Sequence, residues 1–469
     1  MSDPITVDGL SEDENALANR LLDELERKAQ RNLLRASYYD GKRAITQVGS
    51  VIPPQYYRLG IVLGWSGKAV DILARRCNLD GFVWPDGSLN DLGFRELVEG
   101  NNLFGELSGA IVSSLIHGPV FLINTRGLEG EPESLIHVKD AMNATGTWNP
   151  RTRRLDDCLS VTRRVDGQPV EFVLYLDGVT VTCGKEAGGW RVLNREEHPW
   201  RVPAEVMVYK QRPGRPFGSS RISRAVMSLH DMALRTVIRM EGHADVYSFP
   251  EMLLLGADES IFKDQNGNLK PAWQVMLGRI KAIPDDDTAA NPRVDVKHFT
   301  AASPEPHILQ LKQQAQLFSG ETSIPLTSLG VSDMSNPASA ESYIASREDL
   351  IAEAEGATDD WTAPIARSCI RGLAILNGLD EVPDQWATIA PKWRSPMHLS
   401  RAAQADAGAK QLATVPWLAE TEVGLELLGL SEQQIERAMA ERRRMSGSEA
   451  LRAIVEAAQA RADGQPVPQ

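Results

Sequence analysis

Four groups of residues have types that could do chemistry, and each lacks something the chemistry needs. A phosphate-cradling Walker loop requires Gly, four residues, then Gly-Lys-Ser/Thr, so that backbone amides and the lysine surround the phosphates. Gly41-Lys42 and Gly184-Lys185 are followed instead by Arg43 and Glu186. Gly64-Trp65-Ser66-Gly67 looks like a nucleophile elbow, but its second glycine comes one residue too soon. No His-Glu-x-x-His motif is present, and Glu197-His198-Pro199 reads as a polar turn. Asp285-Asp286-Asp287 could be imagined as a metal site, yet consecutive side chains point in different directions. Flanked by Pro284 and Thr288, it reads as a solvated loop rather than a metal site. Asn143-Ala144-Thr145 fits a glycosylation sequon by chance, and the 8 histidines are scattered singly. The expectation is a non-enzymatic chain with no catalytic residues, no metal and no cofactor.

Composition narrows the class further. The 469 residues include 50 Lys+Arg against 63 Asp+Glu, a formal net charge of -13. A free-standing, affinity-driven DNA binder needs enough cations to displace phosphate counterions, and this chain is poorly suited to that. The 4 cysteines (Cys77, Cys158, Cys183, Cys369) form no C-x-x-C pair and suit reduced thiols in a reducing compartment. The start, Met-Ser-Asp-Pro, lacks the features of a secretory leader. The longest apolar stretch, 115–124, is broken by His117, Gly118 and Pro119, well short of the ~20 residues needed to span a bilayer. A soluble protein with no membrane partner is expected.

The elements that would position any site follow from local patterns. Ser11-Glu12-Asp13-Glu14 is a capping box that opens a helix, with Leu17, Leu21, Leu25, Ala29 and Leu33 along one stripe and Gly41 as its stop. A second helix is predicted over 66–77, with Val70, Leu73 and Cys77 inward, and a third over 101–117, with Phe104, Leu107, Ile111 and Leu115 on one face. Residues 82–84 and 120–123 read as strands. From about 135 to 209 the period changes to β: 159–162, 171–176, 179–183 and 190–192 are separated by Asp166-Gly167, Asp177-Gly178 and Gly188-Gly189, as in an antiparallel meander.

The second half is helical. After the rigid Pro213–218 linker, Ser219 can cap a helix reaching Tyr247, with Ile222, Val226, Leu229, Ala233, Val237 and Met240 inward. Its polar side carries Arg224, Ser228, Asp231, Arg235 and Arg239. A helix that long with a narrow stripe packs against other long helices. Residues 251–300 are a small insertion with strand candidates at 252–255 and 275–283 and a turn at Asn266-Gly267-Asn268. A return helix begins at Ser303-Pro304-Glu305-Pro306, with Ile308, Leu311, Ala315 and Phe318 on one face. A small polar loop spans 330–337. A long helix from about 338 is predicted to break near Gly356 and resume over 361–376, and 398–462 is helical and charged, including a capped helix over 432–444.

This order of elements resembles the portal (head-to-tail connector) proteins of tailed bacteriophages, most of all those of long-tailed phages infecting actinobacteria. The resemblance is carried by Tyr38-Tyr39-Asp40-Gly41 and by Gly214-Arg215-Pro216-Phe217-Gly218-Ser219-Ser220-Arg221-Ile222-Ser223. It is carried also by Gly330-Val331-Ser332 through Asn336-Pro337-Ala338-Ser339-Ala340, and by Arg401-Ala402-Ala403-Gln404-Ala405-Asp406. It implies an α+β portal fold assembling as a ring: wing over 1–216 and 340–397, stem helices over 217–248 and 303–326, clip over 249–302, tunnel loop over 327–339, crown over 398–462 and a disordered tail over 463–469. The implied role is a channel at one capsid vertex for packaging and ejecting the genome. The implied partners are other copies of the chain, as a dodecamer, double-stranded DNA, the large terminase, the head-tail adaptor, the major capsid protein and a scaffold. The implied location is the virion, after synthesis in the host cytoplasm. Ser332, Asp333, Met334, Ser335 and Asn336 are the candidate DNA-facing residues, and Arg224, Arg235 and Arg239 the candidate channel or inter-subunit cations. The alternatives are another structural head or adaptor component, or a packaging nuclease or ATPase; the missing phosphate loop and acidic cluster weigh against the latter.

Overall fold

The computed structural model describes residues 4–42, 60–186, 188–247, 252–255, 280–283, 295–298, 302–331, 347–397, 401–431 and 433–445. The chain divides into two compact units, Met1–Pro396 and Met397–Gln469. The first opens with β1 (Val7–Asp8), α1 (Glu12–Tyr39), α2 (Trp65–Ala74), β2 (Leu79–Val83), α3 (Phe94–Asn101) and α4 (Leu103–His117). There follow β3 (Pro119–Arg126), β4 (Ser134–Asp140), β5 (Ala144–Asn149), β6 (Arg154–Val165), β7 (Gln168–Leu176), β8 (Val179–Glu186), β9 (Gly189–Glu197) and β10 (Ala204–Val208). Then come α5 (Arg224–Tyr247), β11 (Met252–Leu255), β12 (Ile280–Ile283), β13 (Asp295–His298), α6 (Glu305–Thr322), α7 (Glu348–Leu376) and β14 (Ala390–Trp393).

The capping box forms as the sequence predicts: Glu14 N donates to Ser11 Oγ at 3.2 Å, and Ser11 N donates to Glu14 Oε2 at 2.9 Å. The stripe of α1 holds only halfway. Ala18, Leu21 and Leu25 are buried against the sheet residues Leu159, Phe172 and Val181, whereas Leu33 is 48% exposed. Beyond Leu25 the helix leaves the sheet for other partners, and its buried positions become Asn32 and Tyr38. Strands β5 to β9 form the expected meander in the order β1-β9-β8-β7-β6-β5, with β1 added in parallel to β9. A second sheet, β10-β3-β4, lies beneath α7, whose Leu350, Ala354, Trp361, Ile365, Cys369 and Leu373 share the main core with α2 and α4.

Three boundaries differ from expectation. The helix predicted over 101–117 starts at Leu103, because Asn102 adopts φ 46° and separates it from α3, which was not foreseen. The long helix α7 does not break at Gly356; it runs unbroken through Gly356 and Pro364, because the core packing of Leu350, Ala354, Ala357, Trp361 and Ile365 outweighs the intrinsic penalties of those residues. Ser219 is not the cap of α5. Ser223 is, its Oγ accepting from Val226 N at 3.1 Å, so the helix has 24 residues.

The insertion between α5 and α6 contains a three-stranded sheet of order β12-β11-β13, with β11 parallel to β12 and antiparallel to β13. Strand β13 was not foreseen; only 280–283 of the run expected at 275–283 lies among the described residues. The turn expected at Asn266-Gly267-Asn268 and the Asp285–Asp287 run lie outside them, as do 332–346 and 446–469.

The second unit holds α8 (Arg401–Thr414), a 3-10 turn over Pro416–Glu420, α9 (Glu422–Leu427) and α10 (433–445). Gly408 permits a close approach there: a Cβ would sit 2.3 Å from the Leu427 carbonyl oxygen. Among the described residues no helix is long and apolar enough to cross a membrane.

Candidate functional site at the base of the helical hairpin

Helices α5 and α6 form an antiparallel hairpin. Val226 and Ala233 pack with Ala315 and Phe318 near its base, while His243 meets His307 toward the insertion, with ring centroids 5.4 Å apart. Trp65 of α2 closes the base against Phe318, with ring centroids 5.4 Å apart. The hairpin is thus part of the first unit, and the three-stranded insertion joins its two helices in the chain.

One buried arginine ties the base together. Arg221, 6% exposed, precedes α5. Its Nη2 donates to the Thr322 carbonyl at the end of α6 at 2.6 Å, and its Nε donates to the Ala69 carbonyl of α2. Its Nη1 pairs with Glu353 Oε2 of α7 at 2.6 Å. Glu353 also accepts from Lys210 Nζ at 2.6 Å and from the Tyr209 hydroxyl. Burial alone would push the Glu353 carboxyl up, but the Arg221 charge and the Lys210, Tyr209 and Arg221 hydrogen bonds hold it at about 2. A buried guanidinium needs its fork filled, and this one is filled by a carboxylate and two carbonyls.

The turn before Arg221 is shaped to deliver it. Gly218 has φ 61°, and a Cβ there would lie 2.1 Å from the Tyr209 carbonyl oxygen, so only glycine fits without displacement. Ser219 N donates to that same carbonyl at 2.9 Å, and Ser220 Oγ donates to the Ile116 carbonyl at the end of α4. The Gly214–Ser223 motif is therefore a connector that pins α5 to α4, β10 and α2.

The hub also brackets the polar loop. Before it, Thr322 bonds Arg221, and Lys68 Nζ donates to the Ser328 carbonyl at 2.7 Å. After it, Glu353 lies one turn into α7. The candidates Ser332, Asp333, Met334, Ser335 and Asn336 lie outside the described residues. Arg224 is exposed, and Arg235 and Arg239 are half-buried on the same face of α5. None of the three forms an ion pair or side-chain hydrogen bond with a described residue, so no common partner joins them. Asp231, expected on that polar face, instead accepts from the Tyr38 hydroxyl at 2.9 Å.

The residues that resembled catalysts are structural where they are described. Ser66 Oγ lies 2.9 Å from His230 Nδ1, but both residues are buried, at 0% and 2% exposure, so no substrate reaches the hydroxyl. Burial pushes the His230 imidazole below its ordinary range. All four cysteines are buried and free, and burial raises the Cys77 thiol to about 12. Arg221 stood in the sequence motif without an assigned role, while Glu353 and Tyr209 were missed. A lone Glu on an amphipathic helix and a Tyr at a strand end carry no spacing signal.

Comparison with known proteins bears on this arrangement. The phage portal protein family described as SPP1 Gp6-like matches residues 18–447. The portal protein of Mycobacterium phage L5 is 24% identical over 385 residues, covering 80% of this chain and 77% of that one. That of Mycobacterium phage D29 is 25% identical over 383 residues, with the same coverage. Among solved structures, a chain of the neck of an empty gene transfer agent particle, computed with C6 symmetry, aligns with TM-score 0.43 and 15% identity, covering 78% of this chain and 90% of that chain. One from the native neck computed with C12 symmetry aligns with TM-score 0.40 and 15% identity, covering 84% and 98%. With the family match spanning nearly its whole length, the chain belongs to the SPP1 Gp6-like phage portal proteins.

Proposed function

We propose that copies of this chain close into a ring of twelve at one capsid vertex, forming the channel through which the phage genome is packaged and ejected. Membership of the portal family supports a structural, non-catalytic role for this chain. In this reading residues 1–216 and 340–397 are the wing, the α5–α6 hairpin the stem, and the insertion around β11–β13 the clip, which docks the large terminase and then the head-tail adaptor. The second unit is the crown, facing the capsid interior and its packaged DNA. The major capsid protein and a scaffold surround the ring, and the chain reaches the virion after synthesis in the host cytoplasm.

The observation that carries the reading is the hairpin rooted by Arg221: a rigid two-helix arm, locked to the body on four elements, with a separate small sheet between its arms. A net charge of -13 fits a conduit, because neutralising 6–10 phosphates would bind DNA tightly and with steep salt dependence. Ser332, Asp333, Met334, Ser335 and Asn336, mostly small and polar with one acid and no base, suit transient contact with a sliding duplex. Arg224, Arg235 and Arg239 suit a few guiding or inter-subunit contacts. Native mass spectrometry with negative-stain imaging tests the ring: about a dozen chains around a central hole are expected, and a monomer insensitive to concentration and salt would overturn it. Crosslinkers at 332–336 should capture packaged DNA; no crosslink from any of them would remove the loop from the channel.

A further inference from the structure

Away from the hub, α1 builds a second basic site. Lys28, Arg31 and Arg35 stand at i, i+3 and i+7, so they share one helix face. Across a cleft of about 370 Å³ stands Arg215, in the connector before α5. No Asp or Glu lines this cleft. Lys28 is compensated by Glu24 and lies 5.1 Å over the Phe217 ring. Arg35 donates to the His117 carbonyl at 2.9 Å, which caps the end of α4 but supplies no negative charge. Arg31 and Arg215 are exposed and form no ion pair or side-chain hydrogen bond with a described residue. Burial, then the neighbouring charges of Arg31 and Arg215, lower the Arg35 guanidinium to about 10. Two further polar atoms of residues on the wall, Asn32 Oδ1 and His117 Nδ1, are buried without a partner.

Three guanidinium groups converging without an acid, in a chain with 13 surplus negative charges, are an unmet demand for an oxyanion. The shape limits what meets it. A B-form duplex, whose major groove alone is about 12 Å wide, presents its phosphates on a convex surface and does not enter a cleft this small. Beside the polar Asn32, His117 and Thr145, the wall carries an apolar stretch with Leu25, Phe121, Pro216 and Phe217, which suits a ligand carrying a hydrocarbon stem rather than bare phosphate. We propose that this cleft seats a carboxylate side chain from an acidic protein segment, with Arg31, Arg35 and Arg215 on the carboxylate and Phe121 and Phe217 against its methylenes.

Calorimetric titration of the full chain with a glutamate-rich decapeptide at low salt tests this. Wild type is expected to bind, and the Arg31→Glu, Arg215→Glu pair to weaken binding by about tenfold or more. Arg31→Ser and Arg215→Ser, each expected to weaken binding by about threefold, keep the test independent of any folding defect in the charge-reversed pair. Peptide binding that is absent, or unchanged in these variants, would overturn the proposal. So would inorganic phosphate or a short DNA duplex displacing the peptide with tighter, Arg31-dependent binding, which would reassign the cleft to a free anion or to nucleic acid.

Discussion

Arg221 and the Arg31–Arg35–Arg215 group solve the same electrostatic problem in opposite ways. Arg221 is almost wholly buried, and each end of its fork meets an acceptor: Glu353, the Thr322 carbonyl and the Ala69 carbonyl. The second group is partly exposed and, among the described residues, meets one carbonyl and no carboxylate. A satisfied buried charge has no capacity left for a ligand and acts as a rivet, whereas an unsatisfied exposed one costs little in the free chain and keeps its capacity to bind. The difference separates the residues that hold the hairpin from those available to a partner.

The largest test of this contrast removes the acid from the satisfied site. Glu353→Ala leaves Arg221 buried beside no counter-charge and should cost about 3–5 kcal/mol in denaturant unfolding. A loss near zero would mean that the carbonyls alone hold the guanidinium. Glu353 also makes the hub sensitive to acid. Its folded pKa of about 2 lies below the ~4.3 of an unfolded glutamate. Its contribution is therefore fully present above pH ~4.3 and is lost as pH falls toward about 2. Glu353→Gln should flatten the unfolding midpoint across that window, and an unchanged acid limb would assign the transition to other carboxylates.

At the small end, Arg31→Ser and Arg215→Ser should each leave stability within about 0.5 kcal/mol of wild type, because neither side chain has a partner to lose among the described residues. A marked stabilisation would sharpen the contrast by showing that the crowded cations strain the free chain. A marked loss would show that they are structural after all.

Local order was legible wherever one residue controls one turn. The Ser11–Glu14 capping box formed as read, and the hairpins turn at Asp166-Gly167 and Asp177-Gly178, because hydrogen bonds and backbone preferences act over three or four residues. The α5 stripe was also legible in part: Ile222, Val226 and Ala233 are buried as expected. His230, Leu234 and Ile238 are buried too, because Tyr38, Ile61, Leu63 and Ser66 cover the helix beyond a single stripe.

What local rules got wrong, contacts decided. Gly356 and Pro364 sit inside one continuous α7 because its faces are packed along the core, and packing outweighs propensity. Asn102 divides α3 from α4 at a residue that carries no strong stop signal. The same limit applied to the sites. The Gly214–Ser223 segment stood out as a motif, but Arg221 and Glu353 lie 132 residues apart in number, and Tyr209 lies 144 from Glu353.

The amino-acid order alone determined the class of most segments, the meander, the two long helices flanking an insertion, the acidic balance and, through their succession, the portal family. Those properties depend on neighbours in the chain. The tertiary structure alone decided which charges are spent and which are free. Whether an arginine faces a carboxylate is set by elements distant in sequence that folding brings within 3 Å, and the energy of that meeting depends on burial, which no single segment possesses.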